Sequence, residues 1–381
     1  MGRLGSFRRT RRNLSAFHAA PISAGVDLTV DSELLRLLDE ASRAVGRLDG
    51  ATQLLPNPEH FAYMYLRLEA IVSSKIEGTQ ASLMDLLQYE QERLDHDRTD
   101  DLNQVANHLG LLRGLRDRQR QRPLTLQEVE TLHADLLSGA RGGSMAGGLR
   151  SLQNWIGPTG GPIEAAVFVP PPPEEVPMAM EDLVGFVSTE KELPPLLHAA
   201  IAHAQFETIH PFVDGNGRLG RYLIHFILWQ RGVIDRPLLY LSHYFRSHQA
   251  EYYQRLQATR TDDDLEGWCR FFLTGVRLVA QEATERARGV LDVQREIERR
   301  VRERLGYRSG RALAVVGQMY QTPICRVAEI AAWTGSSVSA ANALAAAMER
   351  SGVLREVTGH RRNRAFALAK YLDMFTAVEA R

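Results

Sequence analysis

Apolar residues recur every three or four positions along most of this 381-residue chain, which is the spacing of one face of an α-helix. The stretch 58–76 is the clearest case, and Gly78 follows it as a residue that favours a helix end. The segments 101–115 and 125–137 show the same spacing, and Thr125 with Glu128 forms a capping-box pair at the start of the second. This pattern predicts an all-α protein.

The stretch 139–177 departs from the helical spacing. It is rich in glycine and contains four consecutive prolines at 170–173, which no helix accommodates. Two short β-like pieces, 154–156 and 166–169, flank a turn-rich segment at 157–162. This arrangement predicts a β-hairpin with a long tip inside the helical protein.

The C-terminal third has a pattern of its own. The charged segment 281–304 predicts a solvated connecting helix, and two short helices with a turn between them follow at 327–331 and 339–348. Two strand-like pieces, 352–354 and 365–368, then surround a basic tip, as in a winged helix-turn-helix. The positive residues of this wing are Arg355, His360, Arg361, Arg362 and Arg364. The second helix is mostly alanine and offers few side chains that could read base edges. Contact with protein is therefore favoured slightly over contact with DNA.

Charge and composition exclude little else. The 46 Lys and Arg residues balance 46 Asp and Glu residues, so overall charge indicates neither nucleic-acid nor membrane binding. No apolar run reaches the length of a membrane span. Arginines crowd the first twelve residues without an apolar stretch behind them, which predicts a frayed, solvated terminus rather than a secretory signal. Two isolated cysteines suit a reducing compartment, and a cytoplasmic location is expected.

The segment that carries chemistry is residues 210–221, HPFVDGNGRLGR, between two apolar helices. Its Asp, Gly, Asn and Gly residues leave a helix and expose backbone N–H groups, which form an anion nest with the next helix N-terminus. Arg218 and Arg221 lie on one helical turn and reach the same polyphosphate. Asp214 offers a hard oxygen ligand, and His210 lies where a neutral imidazole can deprotonate a hydroxyl. The combination predicts phosphoryl or nucleotidyl transfer from a nucleoside triphosphate to a hydroxyl.

This segment matches, at all nine specified positions, the signature HPFxDGNGRxxR and therefore resembles the Fic (filamentation induced by cAMP, or Fido) family. Most characterised Fic enzymes transfer AMP from ATP to a Ser, Thr or Tyr hydroxyl of a target protein. The resemblance implies that His210 is the general base and that Asp214 binds Mg²⁺, or Mn²⁺ in its place. The implied phosphate-binding residues are Asp214, Gly215, Asn216, Gly217, Arg218 and Arg221.

The resemblance extends to a flap and an aromatic pair. Residues 149–157 and 169–172 are similar to the family's flap hairpin, whose edge pairs with an extended target segment. It implies that Ile156 and Gly157 contact the nucleotide. Tyr252 and Tyr253 resemble the aromatic pair near the nucleotide base, although core packing explains two adjacent tyrosines equally well.

A second motif concerns regulation. Residues 73–78, SSKIEG, fit the family's inhibitory pattern Ser/Thr-x-x-x-Glu-Gly/Asn, with Ser73, Glu77 and Gly78 at the specified positions. Ser73 and Glu77 are four residues apart and share one helix face. The resemblance implies that Glu77 pairs with Arg221 and repels the triphosphate, which makes this a self-inhibited Fic protein.

The expected fold is all-α, a Fic fold with a small β-hairpin flap. Its expected regions are an N-terminal helical region with the inhibitory helix (1–122), a Fic catalytic domain (123–276), a connecting helix (277–310) and a winged helix-turn-helix domain (311–381). The expected function is Mg²⁺-dependent protein adenylylation restrained by Glu77, with ATP, a target protein and a second copy as partners, and no membrane. Two alternatives stay open: a transcriptional regulator whose Fic domain senses nucleotide, and a Fic enzyme that removes AMP or transfers phosphate.

Overall fold

A computed structural model describes residues 2–9, 15–55, 57–92, 99–139, 146–158, 160–359 and 364–379. Within these residues the fold is mostly helical, as the apolar spacing predicts. The helices are α1 Ser32–Gln53, α2 Pro58–Ile76, α3 Leu83–Glu92, α4 Thr99–Gly114, α5 Leu126–Leu136, α6 Val176–Thr189, α7 Pro195–Ile209, α8 Asn216–Gln230, α9 Leu241–Ser247, α10 Gln249–Thr261, α11 Leu265–Leu305, α12 Ser309–Met319, α13 Val327–Thr334, α14 Val338–Arg350 and α15 Ala369–Glu379. The strands are β1 Gly5–Arg9, β2 Ser15–Ala19, β3 Ile324–Arg326, β4 Leu354–Glu356 and β5 Ala365–Leu368.

Helices α7 and α8 pack against each other at the centre of the core. Residues 196–209 and 216–229 are all buried, so neither helix has a solvent face. The first turn of α5 contains the predicted capping box, in which Thr125 accepts from the Glu128 N–H and Glu128 accepts in return. Gly78 has φ +101° directly after the C-terminus of α2 and ends it where the sequence indicated. The loop 210–215 connects the two buried helices α7 and α8.

The N-terminus is not frayed, which corrects the expectation from its arginines. Strands β1 and β2 form an antiparallel pair with Phe7 opposite Phe17. Phe17 is fully buried, and its N–H donates to the Val169 carbonyl at 2.9 Å. Arg3 forms ion pairs with Asp263 and Glu266. The hairpin folds because its apolar residues pack on the flap region; Arg11 and Arg12 lie outside the described residues.

Helix α11 is longer and more buried than a solvated connection. It runs without a break for 41 residues and packs along α1. Within the segment 281–304, Ala283, Ala287, Val290, Ile297 and Val301 are buried, so only one face is solvated. The expected boundary between residues 276 and 277 lies inside this helix. The division into domains stays a prediction.

The C-terminal module has the element order of the predicted winged helix-turn-helix. Along the chain its elements are α12, β3, α13, α14, β4 and β5. The three strands form an antiparallel sheet in the order β3-β5-β4. Strand β3 and helix α15 were not expected from the sequence, and the winged-helix assignment itself stays a prediction. Arg355 pairs with Asp373 and Arg364 with Glu349. The other basic wing residues, His360, Arg361 and Arg362, lie outside the described residues.

The C-terminal module contacts helix α2 directly. The ring of Phe375 on α15 lies 6.2 Å from that of Phe61 and 6.3 Å from that of Tyr65, both on α2. Arg67, also on α2, donates to the Gln321 carbonyl between α12 and β3 at 3.5 Å. The helix that ends at the inhibitory motif is therefore part of the interface with the C-terminal module.

Both cysteines, Cys269 and Cys325, are buried and unpaired, as small apolar residues of the core. Of the helices in the described ranges, none combines the length and the apolar character needed to cross a membrane.

Candidate active site

The loop between α7 and α8 is shaped by two left-handed residues. His210 ends α7 with φ 48°, and Gly215 precedes α8 with φ 79°. Among the described non-glycine residues, only His210 and Asp263 have positive φ, a strained conformation that is often found at functional sites. The Asn216 side chain accepts from the Phe212 N–H at 2.9 Å and donates to its carbonyl at 2.8 Å. These two bonds fix the Asn216 side chain within the loop, so this residue holds the loop in shape.

His133 on α5 holds the loop 210–215 in place through contacts with Asp214 and Phe212. Its Nδ1 accepts from the Gly147 N–H at 2.9 Å, so the proton lies on Nε2, which donates to the Asp214 carbonyl at 2.9 Å. The imidazole also stacks on the Phe212 ring, with centres 3.7 Å apart. Burial lowers the pKa of His133 and keeps this tautomer neutral. No spacing in the sequence indicates that this histidine holds the loop.

Arg221 is bound by the inhibitory motif. Its Nε donates to the Ser73 hydroxyl at 2.8 Å, and its Nη2 donates to the Ser73 carbonyl at 2.8 Å and to Glu77 Oε1 at 2.7 Å. Burial opposes the guanidinium charge, but Glu77 and two other groups outweigh it, so the pKa of Arg221 is raised. The structure thus brings Ser73, Glu77 and Arg221 together, as the resemblance implied.

The Glu77 carboxylate lies directly on the first turn of α8. A Cβ added to Gly217 would be 2.0 Å from Glu77 Oε1, so no side chain fits there. Exposed backbone N–H groups and the positive end of the helix dipole favour an anion at this position. The Glu77 carboxylate thus lies at the anion-favouring N-terminus of α8.

Arg218 and Asp214 lie beside this turn. The Arg218 guanidinium is almost fully buried, donates to Gln104 Oε1 at 2.7 Å and approaches Asp214 Oδ1 at 3.5 Å. Burial lowers the pKa of Arg218, partly offset by Asp214. The Asp214 side chain is 57% exposed, so its carboxylate is open to solvent. Gln104 was not identified from the sequence, because nothing in its neighbourhood marks it.

The environment of His210 keeps its imidazole neutral. Burial, reinforced by the charges of Arg260 and Arg150, lowers the pKa of His210 to about 3. Glu207, one turn earlier, lies 3.9 Å from His210 Nδ1. Burial raises the pKa of Glu207 to about 7, with Glu77 acting in the same direction. At neutral pH, His210 can therefore accept a proton without first losing one.

Two buried arginines, both missed as site residues, attach the flap to the backbone around His210. Arg150 donates to the His210 carbonyl at 2.9 Å and to the Pro171 carbonyl at 2.6 Å. Arg260 donates to the Glu207 carbonyl at 3.0 Å, and its guanidinium lies 3.9 Å from the centre of the Phe168 ring. The position of the flap and the position of the imidazole are thus connected through cations that are distant in sequence.

The flap is not the two-stranded hairpin that the sequence predicted. Its only pairing in the described residues is an isolated bridge, in which the Ile156 N–H donates to the Phe168 carbonyl at 2.8 Å. A short helical turn, Ile163–Ala165, lies between the expected tip at 157–162 and the expected second strand at 166–169. At Gly157 an added Cβ would lie 3.2 Å from Ala166 Cα, so this glycine allows the two arms to approach. Pro170 to Pro173 lack the N–H groups that would extend the pairing.

The two tyrosines have different environments. Tyr252 is 1% exposed, stacks on Phe245 and bonds through its hydroxyl with His203 Nε2 at 2.8 Å, so it belongs to the core. Tyr253 is 49% exposed, and its ring lies 5.3 Å from that of Tyr252. Of the pair, only Tyr253 has a surface free to meet a nucleotide base.

No group of three or more His, Cys, Asp or Glu side chains in the described ranges is arranged to hold a metal ion. Asp214 is a single exposed carboxylate beside the helix N-terminus. One carboxylate together with substrate phosphates is the usual way in which Mg²⁺ is held at nucleotide sites. The donors present fit a cation that arrives with the nucleotide and does not bind to the protein alone.

Comparison with known proteins identifies the surrounding fold. Residues 123–228 match the sequence model of the Fic/DOC family, and residues 35–113 match that of the Fic/DOC family N-terminal region. The chain is 42% identical over 73 residues to a probable protein adenylyltransferase of Aquifex aeolicus, covering 19% of this chain and 23% of the relative. It is 26% identical over 264 residues to the protein adenylyltransferase Fic of Drosophila grimshawi, covering 68% of this chain and 50% of the relative.

A crystal structure of a Fic family protein from Desulfovibrio desulfuricans G20 shares the fold with a TM-score of 0.57 at 21% identity. That likeness covers 90% of this chain and 97% of the other. The chain spans half or less of the length of the two curated relatives it matches. The two matched regions, residues 35–113 and 123–228, belong to the Fic/DOC family, and the second of them contains residues 210–221 between α7 and α8.

Proposed function

We propose that this chain is a protein adenylyltransferase, which transfers AMP from ATP to a hydroxyl group of a target protein. The observation that carries the proposal is the position of His210 directly before an anion nest that ends at Arg221 on α8. The adenylyltransferase names of its relatives support the same activity. A polyphosphate on this nest would lie within reach of a neutral imidazole.

In the proposed reaction, His210 takes the proton of the target hydroxyl. The hydroxyl oxygen forms a bond to the α-phosphorus of ATP, the bond from that phosphorus to the β-bridging oxygen breaks, and pyrophosphate leaves. A histidine with a pKa of about 3 is a weak base, because burial, reinforced by the charges of Arg260 and Arg150, disfavours an imidazolium. The negative charge of a bound triphosphate offsets these arginines, so nucleotide binding raises the basicity of His210.

Asp214 is the residue that would hold Mg²⁺, since its exposed carboxylate lies at the mouth of the nest. The cation would neutralise phosphate charge. Backbone N–H groups of Gly215, Asn216 and Gly217 and the guanidinium of Arg218 would orient the phosphates. Tyr253 is the candidate for contact with the base, and Ile156 and Gly157 stay candidates for contact from the flap.

We propose further that the resting chain is inhibited by Glu77. Its carboxylate satisfies Arg221 and fills the space over Gly217, so a triphosphate in the productive position would meet a like charge and lose one cation. Removal of Glu77 from this position would end the repulsion and make the Arg221 guanidinium available to the triphosphate. Target identity would then be decided at the flap, near the exposed Trp155 and Val167.

The experiment that tests the transfer uses ATP labelled with ³²P at either the α- or the γ-phosphate, in the background Glu77→Gln. Label from α-³²P-ATP, but not from γ-³²P-ATP, is expected to become protein-bound. His210→Ala is expected to reduce this labelling by about 10²–10⁴-fold while nucleotide affinity is retained. Label from γ-³²P-ATP would identify phosphorylation and contradict the proposal.

Removal of AMP from a modified protein is a second candidate, favoured by the carboxylate of Glu77 beside the nest, where it could orient a water molecule. Incubation of AMP-modified protein with the wild-type chain separates the two activities. Release of AMP that depends on Glu77 would support removal, whereas a stable modification would support transfer alone.

A further inference from the structure

The turn between α11 and α12 exposes an aromatic ring. Gly306, with φ +50°, ends α11, and a short helical turn of residues 306–308 follows. Tyr307 on this turn is 91% exposed, the most exposed large apolar residue in the described chain. Arg308 lies over the ring, 5.3 Å from its centre, and its Nε donates to the Tyr307 hydroxyl at 3.0 Å. The two side chains form a ridge, which we call the Tyr307 ridge.

A cavity lies on each side of the Tyr307 ridge. One, of about 330 Å³, is lined by Arg304, Arg350 and Ala347 in addition to the ridge. The other, of about 400 Å³, is lined by Arg311, by Ser336 before α14 and by apolar residues of α14. Neither cavity is lined by an acidic residue. Four arginines therefore surround one exposed ring.

These arginines differ from the other arginines of the C-terminal module. On α11, Arg299, Arg300 and Arg302 each pair with a glutamate on the same helix. The described wing arginines are also paired with carboxylates. In the described part of the chain, no carboxylate forms an ion pair with the four cavity-lining arginines, which are Arg304, Arg308, Arg311 and Arg350. Positive potential is thus concentrated at the Tyr307 ridge and not on the described part of the wing.

We propose that the Tyr307 ridge and its two cavities bind single-stranded nucleic acid. The guanidiniums contact successive phosphates, and an unpaired base stacks on the exposed face of the Tyr307 ring. Besides Arg350, helix α14 lines the two cavities with apolar side chains that offer no hydrogen bond to a base edge: Ala340, Ala343, Leu344 and Ala347. The hydroxyls of Ser336 and Ser351, which also line the cavities, form hydrogen bonds within the chain. Binding is therefore independent of sequence. A duplex is disfavoured because its bases are already stacked on one another and unavailable to the ring.

The test measures fluorescence anisotropy of a labelled 15-nucleotide poly(dT) with the full chain at 50 mM NaCl. Four phosphate contacts predict that log K falls with log salt with a slope of about −3, and Arg308→Ala with Arg311→Ala should halve this slope. Tyr307→Ala should weaken binding by about 5- to 150-fold, whereas Tyr307→Phe should retain it. All these side chains are on the surface, so thermal unfolding should stay unchanged.

The matched control is Arg302→Ala, which lies on the last turns of α11 before the Tyr307 ridge and is paired with Glu298. It should leave binding within about two-fold of wild type. Absence of binding at 50 mM NaCl, or equal weakening by Arg302→Ala, would overturn the proposal. Tighter binding of a 15-base-pair duplex, or equal binding of a poly-glutamate peptide of the same length, would also overturn it. None of these outcomes depends on adenylyl transfer.

Discussion

Replacing Glu77 by Gln tests the proposed inhibition most directly. The substitution keeps the size of the side chain but removes the charge that faces Arg221 Nη2 at 2.7 Å. A hydrogen bond between charged groups contributes about 1.5–3 kcal/mol, which corresponds to about 10- to 150-fold in an equilibrium. A misplaced reactant costs a similar factor in rate. We expect Glu77→Gln to increase the initial rate of AMP transfer by about 10- to 100-fold.

The gain should depend on the arginine that the carboxylate occupies. Initial rates of self-modification with saturating Mg²⁺ and α-³²P-ATP are measured for wild type, Glu77→Gln, Arg221→Ala and the double variant. In the double variant the gain should disappear, because no guanidinium remains to orient the γ-phosphate. Such non-additivity is what a double-mutant cycle measures for residues in contact.

Ser73→Ala is the matched control, since it removes the hydroxyl that accepts from Arg221 Nε but leaves the carboxylate in place. Its effect on the rate should be small, within about three-fold. The reasoning is refuted if Glu77→Gln is no faster than wild type, or if it is equally fast without Arg221. If Ser73→Ala increased the transfer rate as much as Glu77→Gln does, the inhibition would depend on the position of helix α2 and not on the charge of Glu77.

Three further predictions concern the flap and the loop. Arg260→Met should lower the transfer rate by about 10- to 100-fold with unchanged nucleotide affinity by calorimetry, because it releases Phe168 and the backbone before His210; an unchanged rate would contradict this. Ile156→Pro deletes the N–H of the flap bridge and should reduce modification of targets more than ATP binding; equal loss of both would mean that the site has collapsed. Because the folded pKa of Glu207 is about 7 against an ordinary 4.5, its ionisation lowers stability as pH rises through this window. Glu207→Gln should remove a loss of about 3 kcal/mol between pH 5 and 8 in urea unfolding, and parallel curves for both proteins would exclude it.

The sequence predicts features that depend on neighbours along the chain. The capping box at Thr125 and Glu128 and the end of α2 at Gly78 depend on residues a few positions apart, and the structure has both where expected. The anion nest is equally local, because consecutive residues of one segment build it. The pairing of Glu77 with Arg221 joins distant segments and became predictable only through the family resemblance.

The features that were missed arise from contacts between distant segments. Arg150 and Arg260 hold the flap because the fold brings them to His210, and no spacing along the chain encodes that meeting. Strand β1 carries Arg8 and Arg9, yet it pairs with β2, where Phe17 is buried and its N–H donates to the Val169 carbonyl. Helix α11 looks solvated in sequence because its apolar residues are small and widely spaced, yet α1 and the C-terminal module together cover them.

The two contacts of helix α2 have a thermodynamic consequence. Its last residues hold the carboxylate at the nest, while Phe61 and Tyr65 pack on Phe375 of the C-terminal module. A ligand of that module that favours a shifted α2 would raise nucleotide affinity without touching the active site. Reciprocity of linked equilibria requires that nucleotide then raises the affinity of that ligand by the same factor. If α2 shifts in this way, the C-terminal module would report on a nucleotide bound at the nest, although it does not itself contact that nucleotide.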